Sequence, residues 1–141
     1  MILLDTYHLT VLKYRSSDAY LRLTERLQAA KEPVGTSIIN VEEQMRGWLA
    51  ILAKERTVAR QVSAYRELSL LFQFFNHLHV LDFTDSAADL FLSLKAVAPQ
   101  TGSMDLKIAS IAIAHNALLL TANERDFNKL PGLRLQNWLL A

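Results

Sequence analysis

Short apolar runs alternate along this chain with longer stretches of helical periodicity, and this alternation limits the possible folds most. The runs have the length of strands and lie in MILLD, VGTSII, HVLDF, ALLLT and, as a possible edge strand, LRLQNW. Helical patterns between them are DAYLRLTERLQAAK, 40–53, YRELSLLFQFFNHL, SAADLFLSLKAVA and DLKIASIAIAHN. Strands separated by helices predict an α/β fold, a central parallel sheet of about four to five strands flanked by helices on both faces. The length of 141 residues predicts a single domain, 1–141.

Asp5 is an unexpected residue at the end of the first apolar run. The strand before it consists of Ile2, Leu3 and Leu4, and burying an unpaired carboxylate beside them would be costly. In parallel sheets of this kind, ligands bind beyond the carboxyl ends of the strands. We therefore expect Asp5 to lie where a ligand binds.

Three other acids are predicted at the same edge of the sheet. Glu43 lies three residues after Asn40, the expected N-cap at the end of the second strand. Asp105 lies at the start of the helix after TGS, where Ser103 could cap, and Asp126 follows the strand ALLLT after a short connection. Each acid also has a purely structural interpretation when it is taken alone. These are a capping box for Glu43, a favourable helix-dipole position for Asp105, and an Asx-type turn for Asp126.

The convergence of these acids predicts a divalent metal site. Clustered carboxylates repel one another unless a cation is present, and Mg²⁺ or Mn²⁺ takes oxygen ligands of this kind. The chain has no cysteine, so thiolate ligands are excluded and a reducing cytoplasm is the expected location. The histidines lack metal-ligand spacing and are expected to be solvated or capping: His8, His77, His79 and His115.

The net charge gives no sign of a general nucleic-acid-binding protein, and the apolar pattern excludes a membrane-spanning one. A net charge of +1 gives no global basic field of the kind found in many nucleic-acid-binding proteins. A local basic face is either a solvated helix surface or a contact for a phosphate backbone: Lys54, Arg56, Arg60 and Arg66. The stretches LSLLFQFF and IAIAHNALLL are too short to span a membrane, so a soluble protein with no membrane partner is expected.

Four segments resemble the PIN domain, specifically the VapC-type toxins of bacterial toxin–antitoxin pairs. They are LLDT, TSIINVEEQMRG, DLKIASIAIAHNALLLTANERDF and LPGLRLQNW, and their order and spacing extend over nearly the whole chain. The resemblance implies a Mg²⁺-dependent endoribonuclease, for which Mn²⁺ could substitute, with one or two metal ions and tRNA or rRNA as its substrate. It also implies a cognate antitoxin that inhibits the enzyme, and a homodimer.

The resemblance assigns the predicted acids to positions of the family pattern. Asp5 matches the first acid and Asp105 the third, while Glu43 matches the second because it stands four residues before Gly47. These three residues are the implied metal ligands and, together with Asp126, the implied catalytic residues.

The remaining positions follow the family pattern less closely. Asn123 stands where many members have an acid, so Asp126 is the remaining candidate for the fourth carboxylate. Thr6, Thr121 and Asn123 are assigned to ordering the site or holding substrate. Tyr7 replaces an asparagine that normally helps to order the site. This replacement bears on the fine geometry of the site more than on the activity itself.

Two other functions compete with this assignment. A phosphatase of the haloacid-dehalogenase type needs a second acid two residues after the first, and Tyr7 occupies that position. A degenerate PIN-like module that binds RNA or protein without cutting is the non-enzymatic alternative. Tyr7 and Asn123 favour it, whereas the presence of Asp5, Glu43 and Asp105 together favours the metal-dependent nuclease.

Overall fold

The computed structural model describes residues 1–140, and within them a parallel sheet is flanked by helices. The strands are β1 (Ile2–Leu4), β2 (Val34–Ser37), β3 (His79–Leu81), β4 (Leu118–Leu120) and β5 (Arg134–Gln136). The sheet has five strands in the order β3-β2-β1-β4-β5, and every neighbouring pair is parallel. The predicted fold class is confirmed, including the edge strand β5.

Seven helices connect and cover these strands in the described part of the chain. They are α1 (Thr6–Tyr14), α2 (Asp18–Ala30), α3 (Ile38–Lys54), α4 (Val58–Phe75), α5 (Asp85–Val97), α6 (Ser103–Ala114) and α7 (Glu124–Phe127). The five expected helices are present, whereas α1 and α7 were not predicted. No helix within residues 1–140 is both long enough and apolar enough to cross a membrane.

The strand alternation divides the apolar side chains between two cores. Leu3 points into a core formed with α5, α6 and α7. Its neighbours Ile2 and Leu4 point to the opposite face, into a core with residues of α1, α2 and α4. Because β1 is fully buried on both faces, it is the centre of the molecule and a rigid base for the residue that follows it.

The second strand packs unusually closely against its neighbour at Gly35. A Cβ atom at this position would lie 2.2 Å from the backbone oxygen of His79. Any side chain would therefore push β2 and β3 apart, so glycine is needed here for packing.

The strand order reverses beside β1, and this reversal locates the expected binding edge. From β1 the chain adds β2 and then β3 on one side, and it returns through α5 and α6 to place β4 on the other side. Such a topological switch point opens a crevice at the carboxyl ends of the two central strands. Asp5 follows β1 and Thr121 follows β4, so both lie at this point.

Candidate active site

Asp5 is a buried carboxylate that receives hydrogen bonds from two distant parts of the chain. Its side chain is 7% exposed. Asn40 Nδ2 donates to Oδ1 at 2.8 Å, and Thr121 Oγ1 donates to Oδ2 at 2.9 Å. Asp5 precedes α1, but its side chain makes no capping bond to that helix. These two bonds offset the cost of burying the charge, and they fix the direction of both oxygens.

Ser37 and Asn40 hold the first of these donors in place. Ser37 is the N-cap of α3, and its hydroxyl accepts a hydrogen bond from the backbone N–H of Asn40. The same hydroxyl donates to Asn40 Oδ1 at 2.7 Å, which turns the amide nitrogen towards Asp5. The prediction that Asn40 is the N-cap was therefore wrong, as was the placing of Ile38 and Ile39 in the second strand.

Glu43 lies too far along α3 to cap it. Because α3 begins at Ile38, Glu43 lies in its second turn, beyond the position from which a capping-box acid reaches back. Its side chain instead accepts a hydrogen bond of 3.2 Å from Thr6 Oγ1, at the start of α1. The capping interpretation is thus excluded for Glu43, and Thr6 links the segment after β1 to this carboxylate.

Thr121 provides the second donor to Asp5 and also shapes the following turn. It is fully buried, and its hydroxyl accepts a hydrogen bond of 3.0 Å from the backbone N–H of Asn123. Both functions of the hydroxyl are internal, so Thr121 orders the site without being open to substrate. Asn123 is exposed, and its side chain makes no capping bond to α7.

The two acids on the α6–α7 side differ in their exposure. Asp105 is half-buried near the start of α6, whose N-cap is Gly102 and not the Ser103 expected from the sequence. Asp126 is exposed on α7, and its backbone N–H donates to the backbone oxygen of Asn123. The Asx-type turn considered for Asp126 is therefore absent from the described residues.

The pKa values connect these carboxylates electrostatically. Burial raises the pKa of Glu43, the hydrogen bond from Thr6 opposes this effect, and the charges of Asp5 and Asp105 raise the pKa further. Burial likewise raises the pKa of Asp105, with the charges of Asp5 and Asp126 acting in the same direction. Asp105 lies in the first turn of α6, as the helix-dipole interpretation requires, while burial and the neighbouring charges disfavour its ionised form.

Three of the four acids line two separate surface depressions. Thr6, Glu43 and Gly47 line one of about 440 Å³, and a Cβ atom at Gly47 would meet open space. Asp105 and Asp126 line the other, of about 600 Å³. Within residues 1–140, no group of three or more histidine, aspartate or glutamate side chains is gathered closely enough to hold a metal ion. The four predicted acids thus act on one another's charge without forming a closed cage.

His8 is a buried neighbour of the site that the sequence did not reveal. It is fully buried, and burial lowers its pKa to about 4 although the charge of Asp5 opposes the shift. Its Nε2 atom accepts a hydrogen bond of 3.1 Å from the backbone N–H of Trp138, whose ring lies against Arg26. The expectation of a solvated or capping histidine was wrong here, since no local pattern indicates that the segment after β5 packs over α1.

This chain is similar to known proteins in both sequence and fold. The family model described as the PIN domain matches residues 2–133. Ribonuclease VapC2 of Rickettsia felis is 33% identical over 108 residues, which cover 64% of this chain and 81% of the relative. The tRNA(fMet)-specific endonuclease VapC of Salmonella typhimurium is 28% identical over 83 residues, covering 56% and 63%. A chain in the crystal structure of Rickettsia felis VapBC2 bound to a promoter DNA fragment superposes with a TM-score of 0.70 and 28% identity, covering 98% of this chain and 99% of that one.

Proposed function

The chain belongs to the PIN domain family, and from this membership we propose that it is the ribonuclease toxin of a toxin–antitoxin pair. It hydrolyses RNA phosphodiesters and depends on Mg²⁺, for which Mn²⁺ substitutes. The observation that carries the proposal is the Asp5 carboxylate, held by two hydrogen bonds at the switch point of the sheet. Its charge raises the pKa of both Glu43 and Asp105, as expected of acids that share one site.

The chemistry of the donor set fits a hard divalent cation. Carboxylates from separate segments supply oxygen ligands. The pKa values of Glu43 and Asp105 are raised first by burial and then by the charges of neighbouring acids, a repulsion that a cation would relieve. Asp5, Glu43 and Asp105 are the proposed ligands, with Asp126 as a further acid. When bound, such an ion polarises a phosphoryl oxygen and lowers the pKa of a coordinated water.

The surrounding side chains have positioning roles in this proposal. Asn40 and Thr121 each donate to one oxygen of Asp5, which leaves the other lone pairs of both oxygens free. Thr6 donates a hydrogen bond to Glu43 and so directs this carboxylate, which would hold the ion or orient a water when the ion is bound. Asn123, whose backbone N–H is held by Thr121, presents its side chain to substrate at the edge of the site.

The proposed partners follow from the same family assignment. The substrate is RNA, and the candidates are tRNA and rRNA. Of the two, tRNA comes first because one relative is named as a tRNA(fMet)-specific endonuclease. A cognate antitoxin covers the site and inhibits cleavage, and the chain forms a homodimer in the cytoplasm. Light scattering of the purified chain with and without co-expressed antitoxin would measure both associations.

Cleavage of purified tRNA and rRNA tests the nuclease directly. We expect fragments with Mg²⁺ or Mn²⁺ and none with EDTA, while Asp5→Asn and Asp105→Asn reduce cleavage to the EDTA background. Asp89→Asn, at an exposed acid of α5, serves as the matched control and should cut normally. Full cleavage by both site variants, or equal cleavage in EDTA, would refute the proposal.

A binding module without catalysis is the second candidate. The absence of a ready-made group of three ligands among residues 1–140 favours it, as does Tyr7, which is 59% exposed at the position of an ordering residue. Calorimetric titration with Mn²⁺ separates the two functions. Binding that Asp5→Asn abolishes supports the nuclease, whereas RNA binding without Mn²⁺ binding or cleavage supports the module.

A further inference from the structure

The larger depression beside the acids also contains basic side chains. Asp105 and Asp126 line it together with Arg125, Lys129 and the α5–α6 connection at 97–102. Both basic residues are exposed, and neither forms an ion pair with a residue that the structure describes, although two acids lie in the same depression. Their charges are therefore available to a ligand.

The backbone segment that carries these two charged side chains is firmly packed against the core. Phe127, between Arg125 and Lys129 in the chain, is fully buried, and Leu130 directly after Lys129 is 4% exposed. These apolar anchors fix the short helix α7 and the residues after it against the core. The positions from which both cationic side chains project are thus held constant, which lowers the entropic cost of binding.

The two depressions flanking Asp5 differ in charge. The one beside Glu43 is lined by Thr6, Gln44, Gly47, Trp48 and Ile51, none of which is basic. The one beside Asp105 pairs two acids with two bases, so neutralising the acids with a cation leaves a surplus of positive charge. Of these two depressions, the one on the α7 side therefore attracts a polyanion more strongly.

We infer that Arg125 and Lys129 form a phosphate-binding subsite, which holds the backbone of the RNA substrate on the α7 side of the site. The inference rests on the proposed function and deepens it, because it gives the path of the substrate on one side of the acids. These residues contact phosphate and not base edges, so they contribute affinity without sequence preference. They are positioning residues, since none of the proposed chemistry occurs at their nitrogen atoms.

The salt dependence of RNA binding tests the subsite separately from cleavage. The probe is a fluorescein-labelled single-stranded RNA of mixed sequence, bound by full-length Asp5→Asn protein so that it is not cut during anisotropy measurements. For single strands, the slope of log K against log salt falls by about 0.7 for each phosphate contact. We expect the added pair Arg125→Gln and Lys129→Gln to reduce the slope by about 1.4, equally for U-rich and A-rich probes.

Two matched pairs of substitutions control this experiment. Arg15→Gln with Lys31→Gln removes the same charge from exposed residues at the C-terminal ends of α1 and α2, and should leave the slope unchanged. Arg125→Lys with Lys129→Arg preserves the charge and should retain the original slope. Circular dichroism and thermal melting of each variant identify any loss of fold.

The possible outcomes separate this inference from the proposed function. An unchanged slope in the Arg125 and Lys129 glutamine pair, or an equal loss in the Arg15 and Lys31 pair, overturns the subsite, while wild-type cleavage leaves the nuclease intact. If the wild-type chain neither binds nor cuts RNA, the proposed function itself fails, and with it this inference.

Discussion

Replacing Thr121 by valine should weaken the fold through the loss of one hydroxyl. Valine has the same branched shape, so the substitution leaves no cavity in the buried space that Thr121 fills. It removes the hydrogen bond of 2.9 Å to Asp5 Oδ2 and leaves that oxygen short of a donor at a site where Asp5 is only 7% exposed. It also removes the acceptor for the N–H of Asn123, which can turn to water because that residue is exposed.

The expected cost follows from the charge on the acceptor. A hydrogen bond to a charged group contributes about 1.5–3 kcal/mol, and the bond to the N–H of Asn123 adds little because water replaces it. We therefore expect Thr121→Val to lower the free energy of unfolding by about 2 kcal/mol, a change of roughly 30-fold in the unfolding equilibrium constant. Thr121→Ser keeps the hydroxyl and loses one buried methyl group, at a cost of about 1 kcal/mol.

Urea unfolding at neutral pH in EDTA, followed by circular dichroism, measures both changes. With a slope near 2 kcal/mol per molar urea, the midpoint of Thr121→Val should fall by about 1 M, and that of Thr121→Ser by about half as much. Cleavage should follow the same order, with serine close to wild type. A valine variant as stable as the serine variant would show that the hydroxyl does not stabilise Asp5, and would refute this account of the site.

Two further predictions concern packing and charge. Gly35→Ala should destabilise the fold by about 3 kcal/mol in urea unfolding, because its Cβ atom would meet the backbone of His79. Gly47→Ala, in open space within α3, should instead stabilise the fold by about 0.5–1 kcal/mol. Equal effects of the two substitutions on stability would contradict this difference in packing. The raised pKa of Asp105 means that its folded form binds a proton more tightly than its unfolded form, so stability falls as pH rises from the ordinary carboxyl range through the raised pKa. In EDTA, the Asp105→Asn variant should therefore be more stable than wild type at neutral pH, and this gain in the free energy of unfolding should shrink as pH falls towards 4. A gain in stability that does not depend on pH would contradict this explanation.

The sheet could be predicted because its strands are marked locally. A fully buried strand must be apolar on both faces, and β1 and β4 meet this condition as continuous runs of isoleucine and leucine. Asp5 was recognisable for the same reason, as the first polar residue after such a run. The family resemblance then supplied Glu43 in place of its neighbour Glu42, which local pattern alone does not distinguish.

The missed helices and caps depend on contacts that the local sequence does not contain. The segment of α1 includes two threonines, a valine and aromatic residues, none of them a strong helix former, and its buried residues His8 and Leu9 are held by the core. The start of α3 was misplaced because Ser37 and Asn40 are both good capping residues and the isoleucines between them favour strands.

The site network was hidden for a different reason. Asn40 lies 35 residues and Thr121 lies 116 residues from Asp5 in the chain, so no spacing rule connects them. Only the strand order brings them together, and Asn40 was therefore missed as a partner of Asp5 although it was considered as a cap.

The pairing of β1 with β4 has a consequence for synthesis of the chain. Thr121 is translated 116 residues after Asp5, on the order of ten seconds later at ordinary elongation rates. During this interval the nascent chain contains the first carboxylate without its second hydrogen-bond donor or its central neighbouring strand. If the protein cuts RNA, the ribosome that makes it is exposed to an assembled active site only after nearly the whole domain has emerged.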